Sequence, residues 1–121
     1  MRLLLRTALL TIIAGITFIA CASSGSPSST GGGSSAATVD IKAFAFGPAS
    51  VTITKGQAVT WTNSDGTTHT VSSGTAPTKD GKFDKEIANG GSTTITFDAA
   101  GTFNYFCNIH QAMKGTVVVN N

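Results

Sequence analysis

The chain has 121 residues, enough for one ordinary domain, and its eight Lys and Arg residues nearly balance its six Asp and Glu residues. Both arginines, Arg2 and Arg6, lie at the N-terminus, so the part after Cys21 carries six Lys against six acidic residues. A neutral domain without a basic stripe argues against nucleic acid as a partner. The two cysteines, Cys21 and Cys107, do not predict a disulfide, because Cys21 ends a targeting segment.

Residues 1–21 have the pattern of a secretory signal. Arg2 and Arg6 form a positively charged start, and the apolar run Thr7–Ala20 follows them. A transmembrane helix needs about 20 apolar residues, and this run is shorter. The segment therefore predicts export to the cell envelope, on the periplasmic side of a membrane.

The end of the signal resembles a bacterial lipobox. In Phe18-Ile19-Ala20-Cys21, the resemblance implies that Cys21 becomes the lipidated first residue, although Phe18 stands where Leu or Val is usual. The alternative is cleavage after Ala22, since Ala20-Cys21-Ala22 also fits a small-x-small site. Residues 22–36 are rich in Ser and Gly and are expected to form a flexible linker between this anchor and a domain over 37–121.

From Ala37 onward the pattern is all-β. Short runs rich in Val, Ile, Thr and aromatic residues alternate with Gly, Pro, Asn and Asp, and no window has helical periodicity. Seven or eight short strands predict a two-sheet sandwich. The runs are Ala37–Phe46, Val51–Thr54, Ala58–Asn63, Thr68–Ser72, Thr93–Phe97, Thr102–Phe106 and Thr116–Val119, with Phe83–Ile87 as a further candidate.

Alternation along these runs predicts which side chains face the core. Val59, Trp61 and Asn63 share one face, and Trp61 is too large to be left half exposed in so small a domain, so this face is the inner one. Cys107 ends an inward row with Phe103 and Tyr105, which puts its sulfur at the apolar end of the core.

The C-terminal part contains a compact group of metal donors. Cys107, His110 and Met113 fall within seven residues, and the other histidine of the chain is His69. Thiolate and thioether sulfur stabilise Cu(I), and imidazole suits both oxidation states of copper. His69, Cys107 and His110 as strong ligands, with Met113 as a weak axial one, match the composition of a blue-copper electron-transfer centre.

Each donor also has an ordinary interpretation. A single His in a β domain is more often structural, a single Met is more often core filling, and a buried Cys is more often inert. The four together favour a metal site, because a lone thiol in an oxidising compartment is a liability unless a metal protects it. Zn²⁺ stays an alternative, since Cys and two His also suit a tetrahedral site.

The domain resembles the cupredoxins of the plastocyanin, pseudoazurin and amicyanin group. The resemblance rests on FxFxPxxVTITKGQAVTWTNSD, then HTV, then TFDAAGTFNYFCNIHQAMKGTVVV, in that order over most of residues 37–121. The two-residue gap between His110 and Met113 is most similar to amicyanin, and the lipobox with its linker is more like the membrane-anchored halocyanins. The resemblance implies an eight-stranded Greek-key β-sandwich with one copper ion at one end.

The resemblance also implies roles for individual residues. His69, Cys107 and His110 would be equatorial ligands and Met113 the axial ligand of a copper that cycles between Cu(I) and Cu(II). Asn63 matches an Asn that ties the first-ligand loop to the Cys loop. Ile109 stands where Pro is usual before the second His, so its N–H would be free to donate to the Cys107 sulfur.

The predicted function is single-electron transfer in the cell envelope, with no enzymatic activity. The expected partners are redox proteins, such as a cytochrome c, a membrane oxidoreductase or another electron carrier, and a monomer is expected. The electron would leave through His110, and Phe106, next to Cys107, offers a second route. A copper-binding or delivery protein of the envelope is the alternative. Copper enzymes are disfavoured because both histidines are already used.

Overall fold

The computed structural model describes residues 35–121, which form strands and turns only. The predicted signal, most of the predicted linker and Cys21 lie outside these residues. Over residues 35–121, no helix is present that is long and apolar enough to span a membrane. The strands are β1 (Ser35–Lys42), β2 (Ala45–Gly47), β3 (Ser50–Thr54), β4 (Ala58–Asn63), β5 (His69–Thr75), β6 (Thr78–Ile87), β7 (Ser92–Thr96), β8 (Gly101–Phe106) and β9 (Lys114–Asn120).

The strands form two sheets, which confirms the predicted all-β sandwich. One sheet has the order β2-β1-β4-β7, and the other has the order β3-β9-β8-β5-β6. Strands β1 and β4 are parallel, as are β3 and β9, and the other neighbours are antiparallel. Because sequence neighbours such as β3 and β4 lie in different sheets, the chain crosses repeatedly between the layers and the core lies between them.

Alternation along the strands decides which side chains form the core. On β4 the predicted inner residues Val59, Trp61 and Asn63 are all fully buried, as expected for one face of a strand that packs against a second sheet. On β8, Tyr105 is buried in the same core, and Cys107 follows it just after the strand. Phe103, the first member of the predicted inward row, packs against this core but is only partly buried, so the prediction holds fully for Tyr105 and Cys107.

The region predicted as one strand, Ala37–Phe46, is two strands. A two-residue turn, Ala43-Phe44, separates β1 from β2, and Lys42 pairs with Ala45 across it. Both turn residues have positive φ, 51° and 57°. Tight hairpin turns of this kind favour Asn-Gly or Gly-Gly, so the Ala-Phe dipeptide carried no turn signal. This division brings the number of strands in residues 35–121 to nine, where eight were expected.

Gly115 on β9 makes room for a core aromatic residue and gives a first prediction. It pairs with Tyr105 of β8, and a methyl group at position 115 would overlap the Tyr105 ring and hydroxyl. Tyr105 is buried and cannot move aside freely.

We expect Gly115→Ala to lower the free energy of unfolding by about 1–3 kcal/mol, the usual cost of overpacking. Urea unfolding measures this, with Gly66→Ala as control, since nothing lies within 4 Å of a methyl group there. Equal stability of the two variants would contradict the packing.

Candidate metal centre

The ends of three strands lie together at one edge of the sandwich. Strand β5 begins at His69, and its antiparallel neighbour β8 ends at Phe106, directly before Cys107. Strand β9 begins at Lys114, directly after Met113. Because antiparallel neighbours place the start of one strand beside the end of the other, the four predicted donors are carried to the same edge by the topology alone.

The loop between β8 and β9 is closed by its own backbone. Cys107 N–H donates to Met113 O at 3.1 Å, and Met113 N–H donates to His110 O at 2.9 Å. Met113 is buried and belongs to the same apolar cluster as Cys107. These two hydrogen bonds hold the short Cys107–Met113 segment in one compact turn, which leaves little freedom for its donor side chains.

Three donor atoms form a compact triangle at this edge. Cys107 Sγ lies 3.7 Å from His69 Nδ1 and 3.7 Å from His110 Nδ1, and the two nitrogens are 3.2 Å apart. Among the His, Cys, Asp and Glu side chains of residues 35–121, one group has its donor atoms close enough together to hold a metal ion. It consists of His69, Cys107 and His110. The point in the plane of the triangle that is equidistant from the three atoms lies about 2.1 Å from each. This is close to metal–imidazole distances of about 2.0–2.1 Å and metal–thiolate distances of about 2.3 Å.

Asp65 orients the His69 ring. His69 Nε2 lies 3.0 Å from Asp65 Oδ2, and the His69 side chain is fully buried. A carboxylate can only accept here, so Nε2 carries the proton and Nδ1 keeps a free lone pair that points at the triangle. A ligating histidine commonly donates its second ring N–H to a carboxylate in this way, which fixes both the tautomer and the ring direction. Nothing in the sequence pattern singles out Asp65, four residues before His69, for this role.

The same carboxylate holds the Ala43-Phe44 turn. Ala43 N–H donates to Asp65 Oδ1 at 2.7 Å, and Phe44 N–H donates to Asp65 Oδ2 at 2.9 Å. The Phe44 N–H, followed by the Ala43 N–H and His69, lowers the pKa of the Asp65 carboxyl below its usual value, so it stays ionised as an acceptor. Asp65 therefore joins the strained turn and the His69 ring at one carboxylate.

Phe44 covers the two imidazoles from outside. Its ring meets His69 edge-to-face at a centroid distance of 5.5 Å and His110 edge-to-face at 5.0 Å. Phe44 is 55% exposed and Ile109 is 51% exposed, and they are the exposed large hydrophobic side chains of residues 35–121. Phe44 and Ile109 thus place exposed apolar side chains beside the partly exposed His110.

Thr70 ties the His69 strand to the Cys107 loop. Thr70 N–H donates to Cys107 Sγ at 3.3 Å, and Thr70 Oγ1 accepts the Asn108 N–H at 2.7 Å. The expectation for Asn63 holds in part. Its side chain binds the loop before His69, donating to Thr67 O and accepting the Asp65 N–H, and it also donates to Ile87 O. Within residues 35–121, no hydrogen bond joins it to the Cys107 loop, and Thr70 makes that connection. The sequence carries no signal for this contact, because the register between β5 and β8 is what brings Thr70 beside Cys107.

Ile109 differs from expectation, since its N–H was predicted to be free to donate to Cys107 Sγ. In the part of the chain that the structure describes, no hydrogen bond joins these two groups, and the backbone donor to the sulfur is Thr70. Phe106 differs from expectation as well. It is fully buried, so it does not provide the second surface route suggested by its place beside Cys107. His110 remains the partly exposed donor of the group.

The chemistry of the donor set suits copper. Two imidazole nitrogens and one sulfur in a closed triangle, with a buried thioether residue in the same loop, match the His₂Cys arrangement with a weak axial Met. The cysteine is a free thiol, so its sulfur is available to a metal. The arrangement also limits movement, because Asp65, Thr70 and the loop backbone each restrain one donor.

The chain is similar in sequence and in structure to members of one protein family. The family model of the cupredoxin-like domain matches residues 10–119. Plastocyanin of Scenedesmus fuscus is 42% identical over 89 residues, which cover 66% of this chain and 91% of that protein. Amicyanin-alpha of Methylorubrum extorquens is 35% identical over 82 residues, covering 67% and 69%. Among solved structures, a purple cupredoxin from Nitrosopumilus maritimus superposes with a TM-score of 0.63 at 26% identity, covering 69% of this chain and 99% of that one.

Proposed function

The chain belongs to the cupredoxin-like family, whose cofactor is copper, and from this premise we propose that it carries single electrons through one copper ion. We assign His69, Cys107 and His110 as equatorial ligands and Met113 as a weak axial ligand. The observation that carries this proposal is the triangle of two Nδ1 atoms and one Sγ, with sides of 3.2–3.7 Å. Copper, when bound there, supplies a one-electron couple between Cu(II) and Cu(I).

The protein's part in the reaction is to hold the donors in one arrangement. Cu(I) and Cu(II) prefer different geometries, so a site that keeps its donors in place changes little when the electron arrives or leaves. His69 is held by Asp65, and Cys107 Sγ receives the Thr70 N–H. His110 lies in the loop that the Met113 backbone closes. Each donor thus has a separate restraint, which supports fast electron transfer with small rearrangement.

His110 is the proposed exit for the electron. It is partly exposed, whereas His69 and Cys107 are fully buried. The exposed Phe44 and Ile109 flank it and provide an uncharged contact surface. A small apolar surface suits brief docking with a redox protein, such as a cytochrome c, a membrane oxidoreductase or another carrier, because transient redox interfaces are small.

A copper-delivery protein with the same donors is the alternative function, and Zn²⁺ is the alternative metal. Titration of the metal-free protein with Cu(II) distinguishes these possibilities. We expect one equivalent to produce an intense blue or green colour that bleaches on reduction and returns on reoxidation. A colourless protein that takes Zn²⁺ in preference to copper would overturn the assignment. Rapid loss of Cu(I) to a small chelator would favour delivery over electron transfer.

Met113 gives a second prediction. We expect Met113→Gln to keep one copper and its colour but to lower the reduction potential, because a harder oxygen donor favours Cu(II) over Cu(I). Voltammetry at fixed pH and a copper assay on the same sample measure the two effects. Met113→Leu is the matched control for loss of the thioether without a new donor. Complete loss of copper from the Gln variant would show that Met113 binds more strongly than an axial ligand.

We also propose that the domain is held at a membrane of the cell envelope through a lipid on Cys21. The support is the lipobox-like Phe18–Cys21 run and the Ser- and Gly-rich residues that follow it. We expect the full-length protein to fractionate with membranes and to enter the detergent phase, and Cys21→Ser to abolish both. Wild-type protein found wholly in the soluble envelope fraction would favour cleavage after Ala22.

A further inference from the structure

A chain of side-chain hydrogen bonds runs from the Cys107 loop across two strands. Asn108 N–H donates to Thr70 Oγ1 at 2.7 Å. Thr70 Oγ1 lies 3.0 Å from Ser72 Oγ, two residues along β5. Ser72 Oγ–H in turn donates to Asp84 Oδ1 of β6 at 2.6 Å. These contacts link the peptide after the cysteine to a carboxylate on the edge strand.

The proton of each hydroxyl can be assigned. Ionised Asp84 can only accept, so the one proton of Ser72 points to it. Ser72 Oγ then offers only lone pairs to Thr70, so the Thr70 hydroxyl must donate to Ser72. Thr70 Oγ1 keeps its lone pairs for Asn108 N–H. All three hydrogen bonds therefore point toward Asp84, and bonds aligned in this way polarise one another.

The chain connects the interior with the surface. Ser72 is fully buried and Thr70 is nearly so, whereas the Asp84 side chain is 48% exposed. Lys79 Nζ lies 2.6 Å from Asp84 Oδ2 and closes the outer end with an ion pair. Lys79 and then Ser72 lower the pKa of the Asp84 carboxyl, which keeps it ionised. The buried end of this chain of hydrogen bonds is thus anchored by the Asp84 carboxylate, which is accessible to water.

We propose that Ser72 and Asp84 are positioning residues that act on the Cys107 sulfur through Thr70. Their hydrogen bonds hold the Thr70 hydroxyl in one orientation, in which it accepts the N–H of Asn108, the residue after Cys107. Holding this peptide keeps Cys107 Sγ beside the Thr70 N–H that donates to it. A donor to a copper-bound thiolate withdraws electron density from it and favours Cu(I) over Cu(II). On the proposed function, the chain raises the reduction potential of the site from a distance.

The neighbouring serine provides a matched control. Ser73 is also fully buried on β5 and also binds β6, but its hydroxyl exchanges both hydrogen bonds with the Phe83 backbone, at 2.9 and 3.0 Å. Within residues 35–121, no hydrogen bond joins its hydroxyl to Thr70 or to the Cys107 loop. Ser73→Ala therefore weakens the same strand pair as Ser72→Ala without touching the chain that leads to the sulfur.

The first experiment uses metal-free protein, so its outcome does not depend on copper. Amide hydrogen exchange is followed by NMR at Thr70 and Asn108, with amides of β9 as an internal reference. We expect Ser72→Ala to accelerate exchange at these two amides by about threefold to tenfold, the effect of losing one ordinary hydrogen bond. Ser73→Ala should leave both unchanged relative to β9. Equal acceleration by the two variants would mean general loosening of β5 and would overturn the proposal.

The second experiment uses the copper form. We expect Ser72→Ala to lower the reduction potential and shift the Cu(II)–thiolate absorption band, and Ser73→Ala to change neither. Asp84→Ala should act in the same direction, and the double variant should add little to Ser72→Ala, because both changes break one chain. Asp80→Ala is the control for the loss of one negative charge from β6, because Asp80 forms a comparable ion pair, with Lys82 Nζ at 2.6 Å.

Two results would overturn the inference about the potential. One is an unchanged band and potential in Ser72→Ala, and the other is fully additive effects of Ser72→Ala and Asp84→Ala. If the protein bound no copper at all, the proposed function would fail, but the exchange result at Thr70 and Asn108 would still decide whether the chain positions the loop.

Discussion

Cys107→Ser is expected to abolish the intense visible band and the redox activity while the metal-free fold is kept. Serine is similar in size to cysteine, so the buried position beside Tyr105 loses little packing. The hydroxyl is a hard and weakly acidic donor that does not provide the electron-rich sulfur on which the Cu(II)–thiolate colour depends. The absorption spectrum after addition of one equivalent of Cu(II), together with urea unfolding of the metal-free variant, measures both parts.

Cys21→Ser is the matched control for this experiment, because it replaces the other cysteine of the chain, to which we assign the lipid and not the metal. It should remain as strongly coloured as the wild type. A Cys107→Ser variant that stays blue would show that another group provides the chromophore. A variant that fails to fold would be a different outcome, and the urea curve identifies it before the colour is interpreted.

The donor set could be predicted from the sequence because it is local. Cys107, His110 and Met113 lie within one loop, and His69 was the remaining histidine, so no three-dimensional information was needed to group them. The structure brings His69, Cys107 and His110 together, and their role as ligands stays a prediction. Likewise, alternation was enough to place Trp61 inside, since a strand has a strict period of two.

The contacts that orient the donors could not be predicted because they join distant parts of the chain. The carboxylate of Asp65 reaches the Ala43-Phe44 turn, about twenty residues earlier in the chain, and nothing in that dipeptide indicates a turn. The register between β5 and β8, which places Thr70 beside Cys107, is likewise a property of the assembled sheet. Sequence pattern identifies the donors, whereas sheet register decides what restrains them.

Asp65→Ala is expected to weaken copper binding about 10–100-fold, the usual cost of losing the partner of a ligating histidine. Without the carboxylate, the His69 ring no longer has its proton held on Nε2, and the tautomer with the proton on Nδ1 becomes accessible. That tautomer has no lone pair directed at the triangle formed with Cys107 and His110. Competition titration with Cu(II) measures the affinity, and nitrogen NMR of the metal-free protein reports the His69 tautomer directly.

The same substitution is expected to destabilise the fold by a second route. Ala43 and Phe44 keep positive φ, which is unfavourable for residues with a side chain, while Asp65 accepts both of their N–H groups. Removing the acceptor leaves the strain without compensation. Ala43→Gly should relieve part of it, because glycine adopts positive φ readily. In the Asp65→Ala background, we therefore expect Ala43→Gly to recover stability but not copper affinity.

This double variant separates the two functions of the carboxylate. Stability depends on the turn, which glycine can repair, and affinity depends on the His69 ring, which glycine does not reach. Recovery of both properties together would mean that Asp65 acts on the metal only through the turn, with Phe44 as the link to the imidazoles. Recovery of neither would mean that the strain at positions 43 and 44 is not held by Asp65. The expected split places one carboxylate in two independent roles, as the acceptor for a strained turn and as the orienting group of a ligand.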